Sequence, residues 1–256
     1  MDRFLSEREQ LSRLTVRLLL AQGRIRLDGE MAGSISQVVE KFTRVTLDER
    51  VLQSNQARYL MLNKPPGVVS ATRDLQHRTA VDLLSVPYAN SLHIVGRLDI
   101  NSTGLLLLTN DGRWSRALSS PGECIAKTYR VRLERPICVD CVTAFAEGMY
   151  FAFEGITTRP ASLRVLSEFE AEVDLVEGRY HQVKRMFGRF DNRVLALHRT
   201  AVGNLELDRD LEPGASRGLT RGELDALGVK HCLGDEASHG RQVSAGSRAS
   251  VVIPPA

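Results

Sequence analysis

The sequence predicts an α+β protein with two folded units, and three observations support that prediction. Apolar and polar residues alternate as in strands over Lys127–Leu133 and Glu170–Val176, whereas Val139–Glu147 has a helical pattern. The short polar run Ser54–Ala57 reads as a linker between a small leading unit and a larger one. Hydrophobic residues make up 43% of the chain and charged residues 25%, which is typical of a globular protein with a sizeable core.

The chain has 256 residues and a net charge of +3, enough length for one large or two modest domains. The charge is only mildly basic, so a nucleic-acid partner would require positive charge concentrated in part of the chain. Charged residues follow Met1 at once, and every apolar run is too short to cross a bilayer. We therefore expect neither a secretory signal nor a membrane association.

Four cysteines are present, and Cys138 and Cys141 form a C-x-x-C pair. A zinc site would need a second matched pair, and a redox site would need a thioredoxin-like βαβ pattern around the motif; the sequence shows neither. We therefore expect both cysteines to fill small apolar sites in a helix. This cysteine usage fits a reducing, cytoplasmic compartment.

The leading unit is predicted to span residues 1–53. A helix is expected between the N-cap Ser12 and a stop at Gly23. Its apolar residues at helical spacing are Leu14, Leu18 and Leu19. A strand at Arg24–Leu27 then meets an Asp-Gly turn, and further short strands are expected over Val38–Val51.

The larger unit is predicted to span residues 58–230. It opens with a buried strand at Arg58–Leu62, which stops at the Lys-Pro-Pro-Gly turn that begins at Lys64. Further predicted elements are a helical piece around Val81–Leu84, a helix over Arg113–Leu118, strands at Leu195–His198 and Leu205–Leu207, and a final helix capped by Thr220. From about His231 to Ala256 the composition turns to Ser, Gly, Ala and charge, which predicts a disordered tail.

The stretch Val95–Gly112 contains the main candidate for a functional residue in the larger unit. It places Asp99 in a polar loop that runs from Gly96 to Gly104 between two strand-like segments. Neighbours able to donate hydrogen bonds to its carboxylate are Arg97, Asn101, Ser102 and Thr103. By itself such an aspartate is more often a turn former than a catalytic residue.

A second informative stretch is Glu177–Phe187, where a strand ends and a helix is expected from His181 to about Phe190. The basic residues around it are opposed in that span only by Asp191. They are Arg179, Lys184, Arg185, Arg189, Arg193 and Arg199. This local positive charge indicates an anionic partner.

Several segments together resemble the RsuA-type branch of the ribosomal RNA pseudouridine synthases. They are Lys64–Gly67, Gly96–Asp99, Gly104-Leu105, Thr109–Gly112 and Tyr180–Lys184. The resemblance extends over about residues 2–230 and implies a mixed, mainly antiparallel sheet flanked by helices. It also implies isomerisation of uridine to pseudouridine, which involves no redox change or group transfer and therefore needs no cofactor and no metal. Asp99 would attack C1′ of the sugar or remove a sugar proton, and the sequence leaves both routes open.

The resemblance also implies roles for other residues. Lys184, where many relatives have arginine, would pair with Asp99. Tyr129 would pack on the target uracil, and Arg97 would help fill the space left by the extruded nucleotide. Residues implied to face RNA phosphates are Lys64, Arg179, Arg185 and Arg189.

In the leading unit, Leu11–Arg13 and Gln22–Gly29 resemble an S4 domain, a small RNA-binding module. Its implied phosphate contacts are Arg13, Arg17, Arg24 and Arg26, which would supply affinity and position rather than sequence choice. The expected partner is 16S rRNA or a partly assembled small subunit, bound by a monomer. A large-subunit rRNA is the main rival target, and Tyr180–Gln182 favours the small-subunit branch.

Two other functional classes remain open at this point. A non-catalytic RNA-binding or ribosome-assembly factor would share the S4 unit and the basic residues, but it would not need Asp99, Tyr129 and Lys184 together. A metal-dependent hydrolase would need a cluster of ligands, which the histidines do not form by spacing. These are His77, His93, His181 and His198.

Overall fold

The computed structural model describes residues 1–230, so the tail predicted from His231 to Ala256 lies outside the described residues. The chain divides into two compact units, Met1–Ala57 and a larger unit that begins at Arg58. No helix within the described part of the chain is both long enough and apolar enough to span a membrane.

The first unit combines two helices with a four-stranded antiparallel sheet. Its elements are α1 (Asp2–Glu9), α2 (Arg13–Ala21), β1 (Ile25–Leu27), β2 (Glu30–Met31), β3 (Val45–Leu47) and β4 (Arg50–Gln53). The strands lie in the order β2-β1-β3-β4. One cluster of buried apolar side chains, reaching from Leu5 of α1 to Leu52 of β4, joins the helices to the sheet.

Helix α2 begins at the predicted cap. Ser12 Oγ accepts a hydrogen bond from the backbone N–H three residues on, which satisfies a donor that would otherwise be unpaired at the helix start. The buried side chains are Val16 and Leu19, whereas Leu14 and Leu18 are 67% and 56% exposed. The apolar spacing therefore located the helix, and of the three spaced leucines only Leu19 lies on its buried face.

The strands expected over Val38–Val51 are present only in the second half of that range, because residues 38–44 contain no strand. A local turn replaces it. Glu40 N–H donates to Thr43 Oγ1 at 3.0 Å, and the Gln53 side-chain amide donates to the carbonyls of both residues. These bonds occupy backbone groups that a strand ladder would otherwise use.

The larger unit contains four α-helices, three short 3-10 helices and eleven strands within the described residues. The helices are α3 (Gly112–Ser119), α4 (Val139–Glu147), α5 (Gln182–Gly188) and α6 (Arg221–Ala226). The strands are β5 (Tyr59–Lys64), β6 (His93–Val95), β7 (Thr103–Thr109), β8 (Lys127–Leu133), β9 (Tyr150–Phe151), β10 (Ile156–Thr157), β11 (Ser162–Val165), β12 (Glu170–Leu175), β13 (Val194–Val202), β14 (Leu205–Glu206) and β15 (Ser216–Gly218). The 3-10 helices are Val81–Leu83, Ala89–Ser91 and Pro121–Glu123.

Nine of these strands form one sheet in the order β11-β12-β8-β13-β7-β5-β15, with β6 paired to β7 and β14 paired to β13. The pairs are antiparallel except for β13 with β7, which run parallel where the two halves of the sheet meet. The predicted α+β architecture with a mixed, mainly antiparallel sheet is confirmed. The two central strands at that junction position the candidate site.

The bounds predicted for the helices agree with the structure to different degrees. Helix α4 has the predicted bounds, whereas α5 begins at Gln182 instead of His181 and ends at Gly188 instead of Phe190. His181 has a φ of 50°, a left-handed conformation that cannot continue into a right-handed helix. The strand predicted at Leu195–His198 is longer than expected, because β13 pairs with β8 along most of its length.

The two cysteines of the C-x-x-C pair have different environments. Cys141 is fully buried in the apolar cluster beneath α4, and burial raises the pKa of its thiol to about 12. Cys138 is exposed at the N-cap of α4. The expectation that both fill apolar sites is therefore wrong for Cys138, because the N-cap lies outside the helix's packed face.

Candidate active site

The loop between β6 and β7 carries Asp99, and its backbone is fixed at several points. The N–H of Ser102 donates to the Asp99 carbonyl at 3.0 Å, which closes the loop as a turn. The neighbouring Leu98 is 6% exposed, and its N–H and carbonyl both bond to Ser70 Oγ, at 3.0 and 2.8 Å. The N–H of Gly67 donates to the carbonyl of Ile100 at 2.9 Å. The loop is therefore anchored to the chain around the Lys-Pro-Pro-Gly turn.

Gly104 allows β7 to approach β13 closely at the end of this loop. Its φ is +99°, and a Cβ atom at this position would lie 2.3 Å from the carbonyl oxygen of Arg199. Both the backbone angle and the contact exclude a side chain. The glycine thus permits the parallel pairing of β7 with β13 that places the Asp99 loop at the junction of the sheet.

Lys64 is fully buried beneath the loop. Its Nζ donates to the carbonyls of Ser102 at 2.7 Å, Pro65 at 3.0 Å and Ile100 at 3.1 Å. Burial lowers the pKa of the ammonium to about 8, although the charge of Asp99 opposes that change. The implied phosphate contact of Lys64 is therefore corrected: the ammonium is enclosed by loop carbonyls and is not presented to solvent.

Arg199 clamps the two ends of the same loop from β13. It is 2% exposed, its Nε donates to the Leu105 carbonyl at 2.7 Å, and its Nη2 donates to the Gly96 carbonyl at 3.3 Å. Arg199 was counted among the basic residues whose local positive charge indicated an anionic partner. Its burial makes it unavailable to such a partner, and its role in the structure is to hold the loop.

Each oxygen of the Asp99 carboxylate lies beside one nitrogen-bearing side chain. Lys184 Nζ donates to Oδ2 at 2.7 Å, and His181 Nε2 lies 3.3 Å from Oδ1. The carboxylate keeps about a quarter of its side-chain surface exposed (25%), so a substrate can still reach it. The loop neighbours proposed as its donors do not have this role: Ser102 bonds to the backbone of Asp99, and Thr103 Oγ1 bonds to His198 at 2.8 Å.

The turn before α5 explains how Lys184 and His181 both reach Asp99. Gln182 is 3% exposed; its amide donates to Glu177 at 2.8 Å, and its side-chain oxygen accepts from the Arg179 N–H at 3.0 Å. This closed frame places His181 just before the helix in a left-handed conformation, three residues before Lys184. Residues at that spacing at a helix start project to the same side.

Tyr129 lies close to the same junction. Across the strands, Tyr129 of β8 is in register with Arg199 of β13, and Arg199 is in register with Gly104 of β7. The tyrosine is half-buried and packs against two apolar clusters, one of which contains Leu98. Arg97, on the other side of that leucine in sequence, is exposed.

Fewer of the basic residues around Glu177–Phe187 are available to an anionic partner in the structure than the sequence indicated. Arg185 binds both oxygens of Glu154 at 2.6 Å, which lowers the pKa of that carboxyl, and its guanidinium lies over the ring of Phe151. Its implied phosphate contact is therefore corrected, because its charge is already matched. Arg179 bonds to Glu177 at 3.0 Å, whereas Arg189 is exposed with no carboxylate within ion-pair distance among the described residues. Glu154 was missed because it is distant in sequence.

The four arginines of the first unit with implied phosphate contacts are all exposed. Arg24 forms an ion pair with Asp48, Arg13 lies 3.6 Å from Asp2, and Arg26 donates to the carbonyl of Gly29 at 3.0 Å. Arg17 is exposed on the same helix as Arg13.

The site as a whole presents a partly exposed carboxylate in a loop clamped by two buried cations. Such a group can act as a nucleophile or as a general base. Sequence reasoning did not assign His181 to Asp99 or the loop-clamping role to Lys64 and Arg199. The only sequence signal for the contact of His181 with Asp99 was the three-residue spacing of His181 from Lys184. The signal for the burial of Lys64 was its position at the end of a buried strand.

Comparisons with known proteins agree on one family. A family model described as RNA pseudouridylate synthase matches residues 58–188. The chain is 51% identical over 225 residues to a Pseudomonas aeruginosa protein named ribosomal small subunit pseudouridine synthase A, covering 88% of this chain and 98% of that protein. It is 40% identical to the Escherichia coli K12 protein of the same name, covering 89% and 99%. A solved crystal structure of a pseudouridylate synthase superposes with a TM-score of 0.66 at 37% identity, covering 88% and 98% of the two chains.

Proposed function

The chain belongs to the RNA pseudouridine synthase family, and we propose that its substrate is one uridine of 16S ribosomal RNA. In this reaction the N1–C1′ glycosidic bond breaks, the uracil rotates, and C5 forms a new bond to C1′. The hydrogen on C5 leaves as a proton and N1 gains a proton, so the composition of the nucleotide is unchanged and no electron is gained or lost. The reaction therefore needs no cofactor, and the protein must supply positioning and one reactive group.

Asp99 is the proposed reactive group. The single observation that carries this assignment is its position: a partly exposed carboxylate whose Oδ2 lies 2.7 Å from Lys184 Nζ, in a loop held by Lys64 and Arg199. A fixed carboxylate of this kind can attack C1′ or remove a proton from the sugar. The geometry is compatible with both routes.

Other residues have proposed supporting roles. Lys184 orients the Asp99 carboxylate through a charge-assisted hydrogen bond. Tyr129 packs against the uracil at the junction of β8 and β13, and the exposed Arg97 fills the space that the extruded nucleotide leaves in the RNA. Arg189 contacts a phosphate near the site, and so does Arg179, whose guanidinium bonds to Glu177 only through Nε.

The small-subunit target is supported by the names of relatives at 51% and 40% identity, both of which span nearly their whole length in the comparison. The first unit is proposed to be an S4-type RNA anchor, supported by exposed arginines on α2 and β1 that are available to phosphates. A separate anchor suits recognition of a folded RNA or of a partly assembled subunit. The proposed working form is a cytoplasmic monomer.

The test maps pseudouridine by mass spectrometry in ribosomal RNA from cells that lack the gene. We expect one pseudouridine to disappear from 16S rRNA and to return when the wild-type gene, but not an Asp99→Asn gene, is supplied. Loss of a site from 23S rRNA or tRNA instead would contradict the proposed target. Unchanged pseudouridine in all three RNAs would contradict the proposed activity and favour a non-catalytic assembly factor.

A further inference from the structure

Tyr180 is an exposed aromatic residue next to the candidate active site. Its side chain is 71% exposed. One face of its ring is covered by the imidazole of His181, with ring centroids 3.9 Å apart and planes inclined by 19°. The stacked pair therefore leaves most of the tyrosine surface, including the opposite face, open to solvent.

This pair is joined directly to Asp99. The Nε2 atom of His181 lies 3.3 Å from Asp99 Oδ1, so the imidazole contacts the carboxylate at its edge while its face carries Tyr180. The side chain of His181 therefore links Tyr180 to the carboxylate.

The surrounding turn holds the pair in place. Gln182 is buried and bonded to Glu177 and to the backbone of Arg179, and the Tyr180 carbonyl accepts a bond from Arg185 at 3.4 Å. Each flank of Tyr180 is therefore fixed by hydrogen bonds while the ring itself is exposed. A ring held in this way loses little conformational freedom when a second ring stacks on it.

An RNA with an extruded uridine needs such a surface. Removing one nucleotide from a stack also disturbs the bases beside it, and an unstacked base binds well to the face of an aromatic side chain. We propose that the open face of Tyr180 is a stacking site for an unpaired base next to the target uridine. This inference rests on the proposed function, because it requires an RNA whose target nucleotide leaves the stack.

The geometry identifies the base as a neighbour of the target and not as the target itself. The His181 imidazole, whose Nε2 lies 3.3 Å from Asp99 Oδ1, covers one face of Tyr180, so the tyrosine ring separates a base on the open face from that imidazole. The sugar of the target uridine must instead approach the carboxylate to within about 3–3.5 Å for reaction.

The experiment measures single-turnover tritium release from RNA labelled at C5 of uridine, using the 16S rRNA fragment in which the modified uridine has been mapped. The half-saturating protein concentration reports binding, and the limiting rate reports chemistry. We expect Tyr180→Ala to raise the half-saturating concentration about 5- to 150-fold, the range for one lost base–aromatic stack. The limiting rate should change far less, and Tyr180→Phe, which keeps the ring, should resemble the wild type.

A double-mutant cycle identifies the base. Fragments with a single abasic nucleotide on either side of the target are assayed with wild-type protein and with Tyr180→Ala. At one flanking position, Tyr180→Ala and the abasic nucleotide together should raise the half-saturating concentration no more than either change alone, because each removes the same stack. Tyr150→Ala is the matched control, because Tyr150 on β9 is also exposed, at 55%, and lies outside the turn that holds Tyr180.

The outcomes separate the two proposals. If wild-type protein releases no tritium from the fragment or from whole 16S rRNA, the proposed function fails. With an active wild type, any of three results refutes the stacking site. The first is that Tyr180→Ala binds the RNA as tightly as the wild type, and the second is that Tyr180→Phe binds it as weakly as Tyr180→Ala. The third is that the effects of Tyr180→Ala and the abasic nucleotide add at both flanking positions. The slope of binding against salt should be unchanged in Tyr180→Ala, since no charge is removed; an altered slope would also contradict stacking.

Discussion

Replacing Lys64 with methionine tests whether a buried cation controls the Asp99 loop. Methionine has a similar length but cannot donate to the three carbonyls that Lys64 Nζ now contacts. One of them, that of Ile100, keeps the N–H of Gly67 as a donor. The carbonyls of Pro65 and Ser102 lose their side-chain donor.

The stability change is the difference of two opposing effects. Two buried carbonyls without a donor cost about 2–6 kcal/mol together. Burial lowers the pKa of Lys64 from 10.5 to about 8, so removing the ammonium relieves a penalty of about 3 kcal/mol at neutral pH. The net loss of stability should be at most about 3 kcal/mol, and the protein should fold.

Activity should fall much more than stability, because the Ser102 carbonyl belongs to the Asp99 loop and the Pro65 carbonyl to the turn that anchors this loop. A displacement of about 1 Å in a reacting group can cost about 100-fold in rate. We expect the limiting rate of tritium release to fall about 10- to 100-fold in Lys64→Met. The matched control is Lys127→Met, which removes a half-buried ammonium with a lowered pKa that donates to one carbonyl, Ile125, outside the loop. A rate within about twofold of wild type in Lys64→Met, or equal losses in both variants, would refute the loop clamp.

The same substitution changes the pH dependence of stability in a defined direction. Because the pKa of Lys64 is lower in the folded protein than in the unfolded chain, the unfolded chain binds more protons between pH 8 and 10.5. Wild-type stability should therefore rise relative to Lys64→Met across that window, by up to about 3 kcal/mol. Denaturant unfolding of both proteins at pH 7.5 and about pH 10 measures this difference; a constant difference would show that the ammonium is not desolvated.

Three further substitutions have defined outcomes. Gly104→Ala should prevent soluble folding or lower the melting temperature by at least about 10 °C, because its Cβ would lie 2.3 Å from the backbone of Arg199. Its control is Gly67→Ala, also at positive φ but with nothing within 4 Å, which should lower the free energy of unfolding by only about 1–2 kcal/mol. Equal effects of the two substitutions would refute the argument that Gly104 is needed for the close approach of β7 and β13. Replacing Arg13 and Arg17 with alanine should reduce the slope of log binding constant against log salt by up to about 2, and an unchanged slope would contradict the S4 assignment. Lys184→Met should slow tritium release less than loss of the Asp99 charge does, and a combined variant that multiplies the two losses would show that the residues do not act as a unit.

Local patterns predicted local structure well. The bounds of α4 and β8 follow directly from their periodicity, and Ser12 and Thr220 cap helices as expected because a cap depends on residues three positions apart. The Asp99–Lys184 contact was implied by family resemblance and is present in the structure.

Two of the failures involve interactions between distant segments, and a third involves local backbone conformation. Lys64 was assigned to phosphate because its sequence neighbourhood is a turn, yet three carbonyls enclose it after the chain folds. Arg185 was counted as free positive charge because Glu154 is 31 residues away in sequence. The start of α5 was misplaced because periodicity does not report backbone strain at His181.

The central claim is that the carboxylate of Asp99 carries out the reaction. Asp99→Asn keeps the size of the side chain, and the loop remains held by Lys64 and Arg199 through backbone carbonyls. The variant should therefore fold and bind 16S rRNA nearly as the wild type does. Its single-turnover release of tritium from C5-labelled uridine should fall by about 10⁴-fold or more, the loss usual when a reaction's sole catalytic group is removed. Near-normal release by Asp99→Asn would contradict the account.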